Sequence, residues 1–298
     1  MLSHHVKTTT ENLLKLHKKT PEPFIFLISG TFPAAATLHI KQLSLFSMIC
    51  RLPDNLLNTV GRHLLLSPGS SKTWFGQVEE ICAKYNLPHP LTLLDDPPDK
   101  ERFKSLVKEK VADYWQQFYR SRVADLPSLK FFKPEYCSLL RPHPVLSTAS
   151  TPYEINKMIV QLRLLSGRGR LGTLLKHFSQ SNNGICELCS LETEDLGHFL
   201  LPRCPPLLER AEVLLRYMEN VFRDSSLCLS ILQEVLIGRK VDADVWIQFV
   251  LDCSVIPTVI ASSQVDSTVM ALLFKATRTW CYSLHRTRLK LLGRWSSK

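Results

Sequence analysis

Four residues with metal-ligating side chains, Cys186, Cys189, His198 and Cys204, fall within nineteen positions in the pattern C-x2-C-x8-H-x5-C. Two cysteines separated by two residues can hold one metal ion from a single knuckle turn. Three thiolates and one imidazole in tetrahedral arrangement suit zinc. Asn183-Gly184 supplies a tight turn just before the knuckle, and Pro202 can break a short helix carrying His198 so that Cys204 returns toward the ion. Two other readings compete. A thioredoxin-like redox pair requires a strand before Cys186, and the preceding SNNGI is no strand. Chance is the other, since the chain has nine cysteines, but the added histidine and third cysteine weigh against it. His177 is an alternative ligand, read more simply as an exposed position on its own helix. A two-cysteine, two-histidine finger needs a second histidine where Cys204 stands, so base reading by a finger helix has no support. Cys50, Cys82, Cys137, Cys228, Cys253 and Cys281 lie in apolar helical surroundings and are expected in the core.

The second constellation is basic. Met270 to Lys298 holds seven Lys and Arg and no acidic residue, and so carries +7 of the net +10. Leu273, Ala276, Trp280, Leu284, Leu291 and Trp295 repeat at helical spacing and form an apolar stripe. Lys275, Arg278, Arg286, Arg288, Lys290 and Arg294 accompany it, mainly beside or opposite the stripe. Two readings stand for them: a docked helix with a solvated basic face, or a face that binds phosphate. Tyr282 would add a stacking surface if exposed. A basic amphipathic helix is also compatible with a membrane surface or a calmodulin-like partner. Arg163, Arg168 and Arg170, upstream of the knuckle, form another basic cluster, in which Gly167 and Gly169 would let the backbone approach a phosphate.

The elements that must position these groups read as helices throughout. Glycine is scarce at 11 and proline plentiful at 18 in 298 residues, which argues against a hairpin-rich β protein. Apolar spacing predicts helices over 36–51, from Asp54 to Leu66, and from Ser70 or Ser71 to near Asn86. Asp96 or Asp99 opens a long helix to about Val123 that buries Phe103, Leu106, Trp115 and Phe118. Thr151, Pro152 and Glu154 are a cap, a first helical residue and a capping-box acid for a helix to about Leu165. Further helices are expected over 205–222, 226–237 and 265–293. The expected organisation is all-α: a helical part over 1–124, a proline-punctuated extended linker over 125–151, and a helical zinc-knuckle part over 152–298. The odd cysteine count in a long chain excludes a small disulfide scaffold and fits a reducing compartment. The first twenty residues lack the apolar run of a secretory signal, and the apolar segment 23–40 is broken by Gly30 and Pro33, so a soluble protein without a membrane span is expected.

The stretch CELCSLETEDLGHFLLPRCPPL resembles the zinc-binding segment that follows the polymerase domain of LINE-type (non-LTR) retrotransposon reverse transcriptases. LHIKQLSLFSMICRLPDN, WFGQVEEICAKYNLPHPLTLL, LKFFKPEYCSLLRPHP, TPYEINKMIVQLRLLSGRGR and TWCYSLHRTRLKLLGRW resemble the same region, in family order, over roughly residues 30–295. Five residues separate His198 from Cys204, one more than is common in the family, and Gly169 stands where an aromatic is frequent. The resemblance implies the C-terminal part of such a polyprotein: an intracellular module, nuclear or cytoplasmic, that holds RNA or DNA with weak sequence preference through its basic clusters, beside the rest of the polyprotein. A protein-interaction module and a non-functional translated remnant are the alternatives.

Catalysis is not expected. A reverse transcriptase aligns two magnesium ions with aspartates on a hairpin and a neighbouring strand. The one adjacent pair, Asp95-Asp96, is followed at once by Pro97-Pro98, which bars a paired return strand, and Asp96 reads as a helix cap. Neither a phosphate-binding P-loop nor a G-x-S-x-G elbow occurs.

Overall fold

The computed structural model describes residues 8–294, except 10, 13, 53–55, 68–71, 177–182 and 202. Asp54, Ser70, Ser71, His177, Pro202 and Trp295, each given a role by the sequence, therefore lie outside the described residues. Every regular element among the described residues is helical, as the spacing predicts. The only extended pairings there are isolated bridges, Ser138–Arg141 and Ile185–Thr193.

In chain order the first helices are α1 (Glu22–Ser29), α2 (Ala34–Cys50), α3 (Leu56–Leu66), α4 (Trp74–Lys84), α5 (Pro90–Asp95) and α6 (Lys100–Ala124). Then come α7 (Pro144–Ser147), α8 (Pro152–Leu165), α9 (Gly172–Leu175), α10 (Leu196–Leu200) and α11 (Pro205–Phe222). The last are α12 (Ser226–Gly238), α13 (Ala243–Leu251), α14 (Pro257–Ala261) and α15 (Ser267–Leu291). Prolines that punctuate the sequence open α5, α7, α8, α11 and α14, where a missing N–H costs nothing. Thr151 caps α8 by accepting from the Glu154 N–H at 3.2 Å. Thr73, rather than Ser70 or Ser71, caps α4 by accepting from Gly76. Asp99 alone opens α6, accepting from Glu101 and Arg102. Asp96 is the residue that ends α5 and does not cap α6. Of the α6 side chains expected inside, Phe103 is buried, Leu106 and Trp115 are half-buried and Phe118 is exposed.

Two apolar clusters form. The smaller joins α2, α4, α5 and the first half of α6 around Phe46, Val78 and Val111. The larger takes α1, Tyr119 and Val123 of α6, and most of the buried apolar residues from Leu129 to Leu284. The core thus changes partway along α6, and half-buried Trp115 packs against both clusters. The stretch 125–151 is not an extended linker. Pro127 and Pro134 start single 3-10 turns and Pro144 starts α7, while Leu129, Phe132, Leu139 and Val145 between them enter the larger core. Apolar residues alternating with helix-starting prolines make a compact packed strap.

The centre of that core is α15, which packs on α8, α11 and α13. Leu273, Ala276, Trp280 and Leu284 of the expected stripe are buried, but Leu291 is exposed. Because neighbours lie on several sides, Arg278 and Arg288 are buried as well. Trp280 meets Trp246 edge to face at 4.9 Å, and both indole N–H groups donate to the Leu200 carbonyl at 3.1 Å. Two tryptophans on different helices thereby fix the end of α10.

Among the described residues, no single helix is long and apolar enough to cross a membrane. The pair α1 and α2 is so jointly, with a bend of 54°, and Phe24 to Ile28 of α1 lie fully inside the core. The six cysteines read as core residues are all buried. Burial pushes the Cys50 thiol up to about 11 and that of Cys82 to about 12, which keeps both uncharged.

Replacing Thr151 by Ala should remove about 1 kcal/mol of stability, the usual worth of such a cap. Urea titration should show a lower midpoint at unchanged slope, as expected for a local loss without a change in compactness.

Candidate metal centre and basic cavity

The knuckle is a short hairpin-like loop. Asn183 Oδ1 accepts from the Ile185 N–H, and Gly184 takes φ 83, so the turn sits where Asn-Gly indicated. The Cys186 N–H donates to Glu192 O at 2.8 Å and the Ser190 N–H to Cys186 O at 2.8 Å. Ser190 adopts φ 56, which lets the chain reverse between Cys189 and Glu192. Asp195 caps α10 by accepting from the His198 N–H at 2.7 Å, which fixes that histidine's backbone. Cys204 is the residue immediately before α11, with Pro205 as the first helical residue.

These local structures bring Cys186 Sγ, Cys189 Sγ, His198 Nε2 and Cys204 Sγ within 4.8 Å of one another. A tetrahedral zinc with Zn–S near 2.3 Å and Zn–N near 2.0–2.1 Å requires sulfurs about 3.8 Å apart and sulfur to nitrogen about 3.6 Å. The observed Cys186–Cys204 separation is 3.8 Å and the Cys189–His198 separation 3.4 Å. All four residues proposed as ligands converge. The cluster can hold a metal ion. Glu192 Oε2 stands 3.2 Å from His198 Nδ1, the outer carboxylate that sets the imidazole so that Nε2 faces the thiols.

The electrostatics ask for a cation. Burial holds the Cys186 thiol above its ordinary range. Burial, then repulsion from Cys186 and Cys189, does the same to Cys204. Burial opposes ionisation of Cys189 too, yet the N–H groups of Leu191 and Glu192 bring it down to about 7. Three thiolates cannot coexist here without a compensating positive charge.

Glu194, invisible as a functional residue in the sequence, lies fully buried behind Cys186. Its carboxylate accepts from Arg288 Nε and, at 2.7 Å, from Arg288 Nη2. It also accepts from the Gly172 N–H at 2.8 Å, and Cys186 Sγ lies 3.9 Å away. Arg288 is therefore a buried structural partner of the knuckle and not part of a phosphate-binding face. Arg278 is likewise withdrawn, because its guanidinium donates to Glu154 Oε2 at 3.2 Å, to Thr148 O at 3.2 Å and to Thr148 Oγ1. Lys275, Arg286 and Lys290 are exposed on α15. Tyr282 is half-buried and packs edge to face on Tyr153 at 6.1 Å, so it offers no open stacking face.

Arg163, Arg168 and Arg170 meet Arg288 and Arg294 around one cavity of about 890 Å³. His17, Lys18 and Lys19 complete its basic wall, a contribution visible in the sequence only as a short lysine doublet. Among the described residues, no carboxylate lines it. The Arg163 guanidinium donates to Lys15 O at 2.6 and 3.2 Å and so holds the N-terminal segment over α8. Arg294 pairs with Glu187 of the knuckle at 2.8 Å. The glycines of this turn serve the protein's own packing. A Cβ on Gly167, at φ 67, would meet Ser128 O at 2.5 Å, and one on Gly169 would meet Leu164 at 2.5 Å. The cavity's charge is felt by its histidines: burial, then Arg288, Arg163 and Arg170, push His285 down to about 4.

Comparison with models of protein families, with curated proteins and with solved structures finds no match for this chain.

Purified protein should carry one metal ion per chain. Because Cys186 and Cys204 are held protonated without it, loading should release roughly two to three protons near neutral pH, so affinity rises with pH and falls in acid. Proton release measured calorimetrically in buffers of different ionisation enthalpy checks the count. Cys204→Ser at full affinity would remove that residue from the ligand set. Separately, Glu194→Gln should cost about 3–5 kcal/mol, since it strands a buried guanidinium. Pairing it with Arg288→Met should recover most of that loss in thermal denaturation.

Proposed function

We propose that this chain is a non-catalytic nucleic-acid-binding module, a zinc-stabilised helical scaffold of the kind that follows the polymerase domain of LINE-type retrotransposon reverse transcriptases. In this reading zinc holds the knuckle, and Arg163, Arg168, Arg170 and Arg294 give affinity for RNA or DNA through phosphate. Exposed Lys275, Arg286 and Lys290 extend the contact along α15. The observation that carries it is convergence: the basic residues before the knuckle and those at the end of α15, more than a hundred positions apart in sequence, line the same cavity beside the metal centre. Sequence preference is weak, because phosphate contacts position a strand without reading its bases. No polymerase chemistry is assigned, and Asp95 is engaged by Arg62 in an ion pair.

A second reading, a protein-interaction module, draws on a different face. Leu38, Leu45, Met48 and Leu52 are exposed along and just beyond α2, with Leu56 and Leu57 exposed at the start of α3. Exposed apolar groups gathered in this way mark interaction sites more often than scattered ones do.

Fluorescence anisotropy with a short RNA and a short DNA duplex at several salt concentrations separates the two. Each phosphate neutralised on duplex contributes about −0.9 to the slope of log affinity against log salt, so four contacts give roughly −3.6. Arg168→Glu with Arg170→Glu should flatten the duplex slope by about 2. Binding that is independent of salt, or unchanged in that variant, would favour the interaction module.

A further inference from the structure

The cavity beside the knuckle differs from an ordinary basic surface. Its cationic groups, several of them solvent-exposed, gather around one partly open volume, and among the described residues no carboxylate lines it. Two of them are already neutralised from behind, Arg288 by Glu194 and Arg294 by Glu187. Arg168 is not: its Nε is buried and has no hydrogen-bond acceptor. The remaining wall is apolar, formed by Leu16, Val160, Leu164, Leu175 and Leu289, and such low-dielectric surroundings concentrate the field. Arg170 adds an observation of its own. It stands in the left-handed region at φ 46, a conformation that a long side chain adopts at a cost, and strain of this kind gathers where a ligand is held.

We propose that this cavity is a site for a terminal phosphate, a phosphomonoester on a nucleotide-sized body, with Arg168 and Arg170 as its principal ligands and Lys18 closing over it from the N-terminal segment. An internal phosphodiester brings one negative charge. A monoester brings up to two, with three strong acceptor oxygens on one phosphorus. Guanidiniums that line one cavity gain most from the second kind of anion, because bidentate, charge-assisted contacts to a single phosphate satisfy several donors at once. The volume of about 890 Å³ lies in the range of small-molecule sites and leaves room for a sugar and base against the leucine wall. The phosphate can belong to a free nucleotide or to the phosphorylated end of a strand. The inference rests on the nucleic-acid reading only for that source, since the chemistry of the cavity stands without it.

The test uses the full chain and three short oligothymidylates of one length: 5′-phosphorylated, 3′-phosphorylated, and with both ends hydroxyl. Thymidine 5′-monophosphate and inorganic pyrophosphate serve as competitors. A terminal phosphate at one or other end should tighten binding by about tenfold, and the competitors should abolish that advantage. Arg170→Asn should erase the advantage too, and Asn suits the left-handed backbone at that position, so the fold is spared. Lys18→Gln, on a different segment, should reduce it. Metal content and helical circular dichroism report that each variant is folded. Reversing Lys275 and Lys290 to Glu should weaken all three strands equally and leave the advantage intact. Equal affinity for the three strands, with salt dependence retained, would overturn the terminal-phosphate site and leave the nucleic-acid module standing. If the monophosphate and pyrophosphate bind while no strand does, the cavity is supported and the nucleic-acid reading falls.

Discussion

The carboxylate of Glu194 is the group on which the C-terminal half depends. It is fully buried, and three segments meet at it: α15 through Arg288, α9 through Gly172, and its own knuckle loop through Cys186. A buried carboxylate without such partners would be expelled or protonated, and a buried guanidinium would be no better tolerated. Each makes the other admissible, and the geometry that satisfies both sets the distance between the central helix and the knuckle. The bidentate contact also has an orientation that an apolar pair would lack, so it fixes the rotation of α15 as well as its depth. The two indoles on the Leu200 carbonyl do the same for α10. The histidine ligand and the first cysteine ligand are therefore each held by a buried polar contact reaching from α15.

That arrangement explains how three thiols come to share so small a space. The knuckle's backbone N–H groups favour one thiolate, Cys189, but burial and mutual repulsion work against the other two. The scaffold brings the sulfurs together by packing, and a metal ion held there would supply the attraction that sulfur alone cannot. The distribution of stability follows the same logic. Helices α8, α11, α13 and α15 bury a large apolar surface among themselves, while the loop 184–194 contributes few buried apolar groups beyond Cys186. Its order comes from its own turn hydrogen bonds and from Glu194, and a loop with so little buried apolar surface has little stability of its own.

Much of this was legible in the residues. Caps at Asp99 and Thr151, prolines at helix starts, and the four ligands at knuckle spacing all carry a local signature, because each depends on neighbours a few positions away. The all-α class follows from the same local signals. What the sequence concealed is long-range. Arg278 and Arg288 look like members of a basic face because an amphipathic pattern assumes one buried side, whereas α15 has neighbours on several. Glu194 sits ten positions after the Asn183-Gly184 turn, at the far side of the knuckle, and gives no hint that its partner is ninety-four positions away. The prolines of 125–151 read as a linker because their density is a local signal, while the burial of Phe132 and Leu139 is a tertiary one. Lys18 and Lys19 reach the cavity from a segment held by Arg163 on the Lys15 carbonyl and by Leu16 in the core, contacts that no local pattern announces.

Formal charge and usable charge are therefore different quantities in this protein. Seven Lys and Arg at the C-terminus suggest one uniform field. Arg278 is consumed by Glu154 and Thr148, Arg288 by Glu194, and Arg294 is shared with Glu187. The side chains spent on structure are those that lock α15 to the strap, to α8 and to the knuckle. Arg168 and Arg170 have no carboxylate beside them in the cavity they line, and their charge remains available to a ligand. The arginines that look alike in sequence are thus divided by the acids that the fold delivers to them. Where it delivers an acid, the arginine holds the scaffold together; where it does not, the arginine faces a cavity in which an anion can take the acid's place.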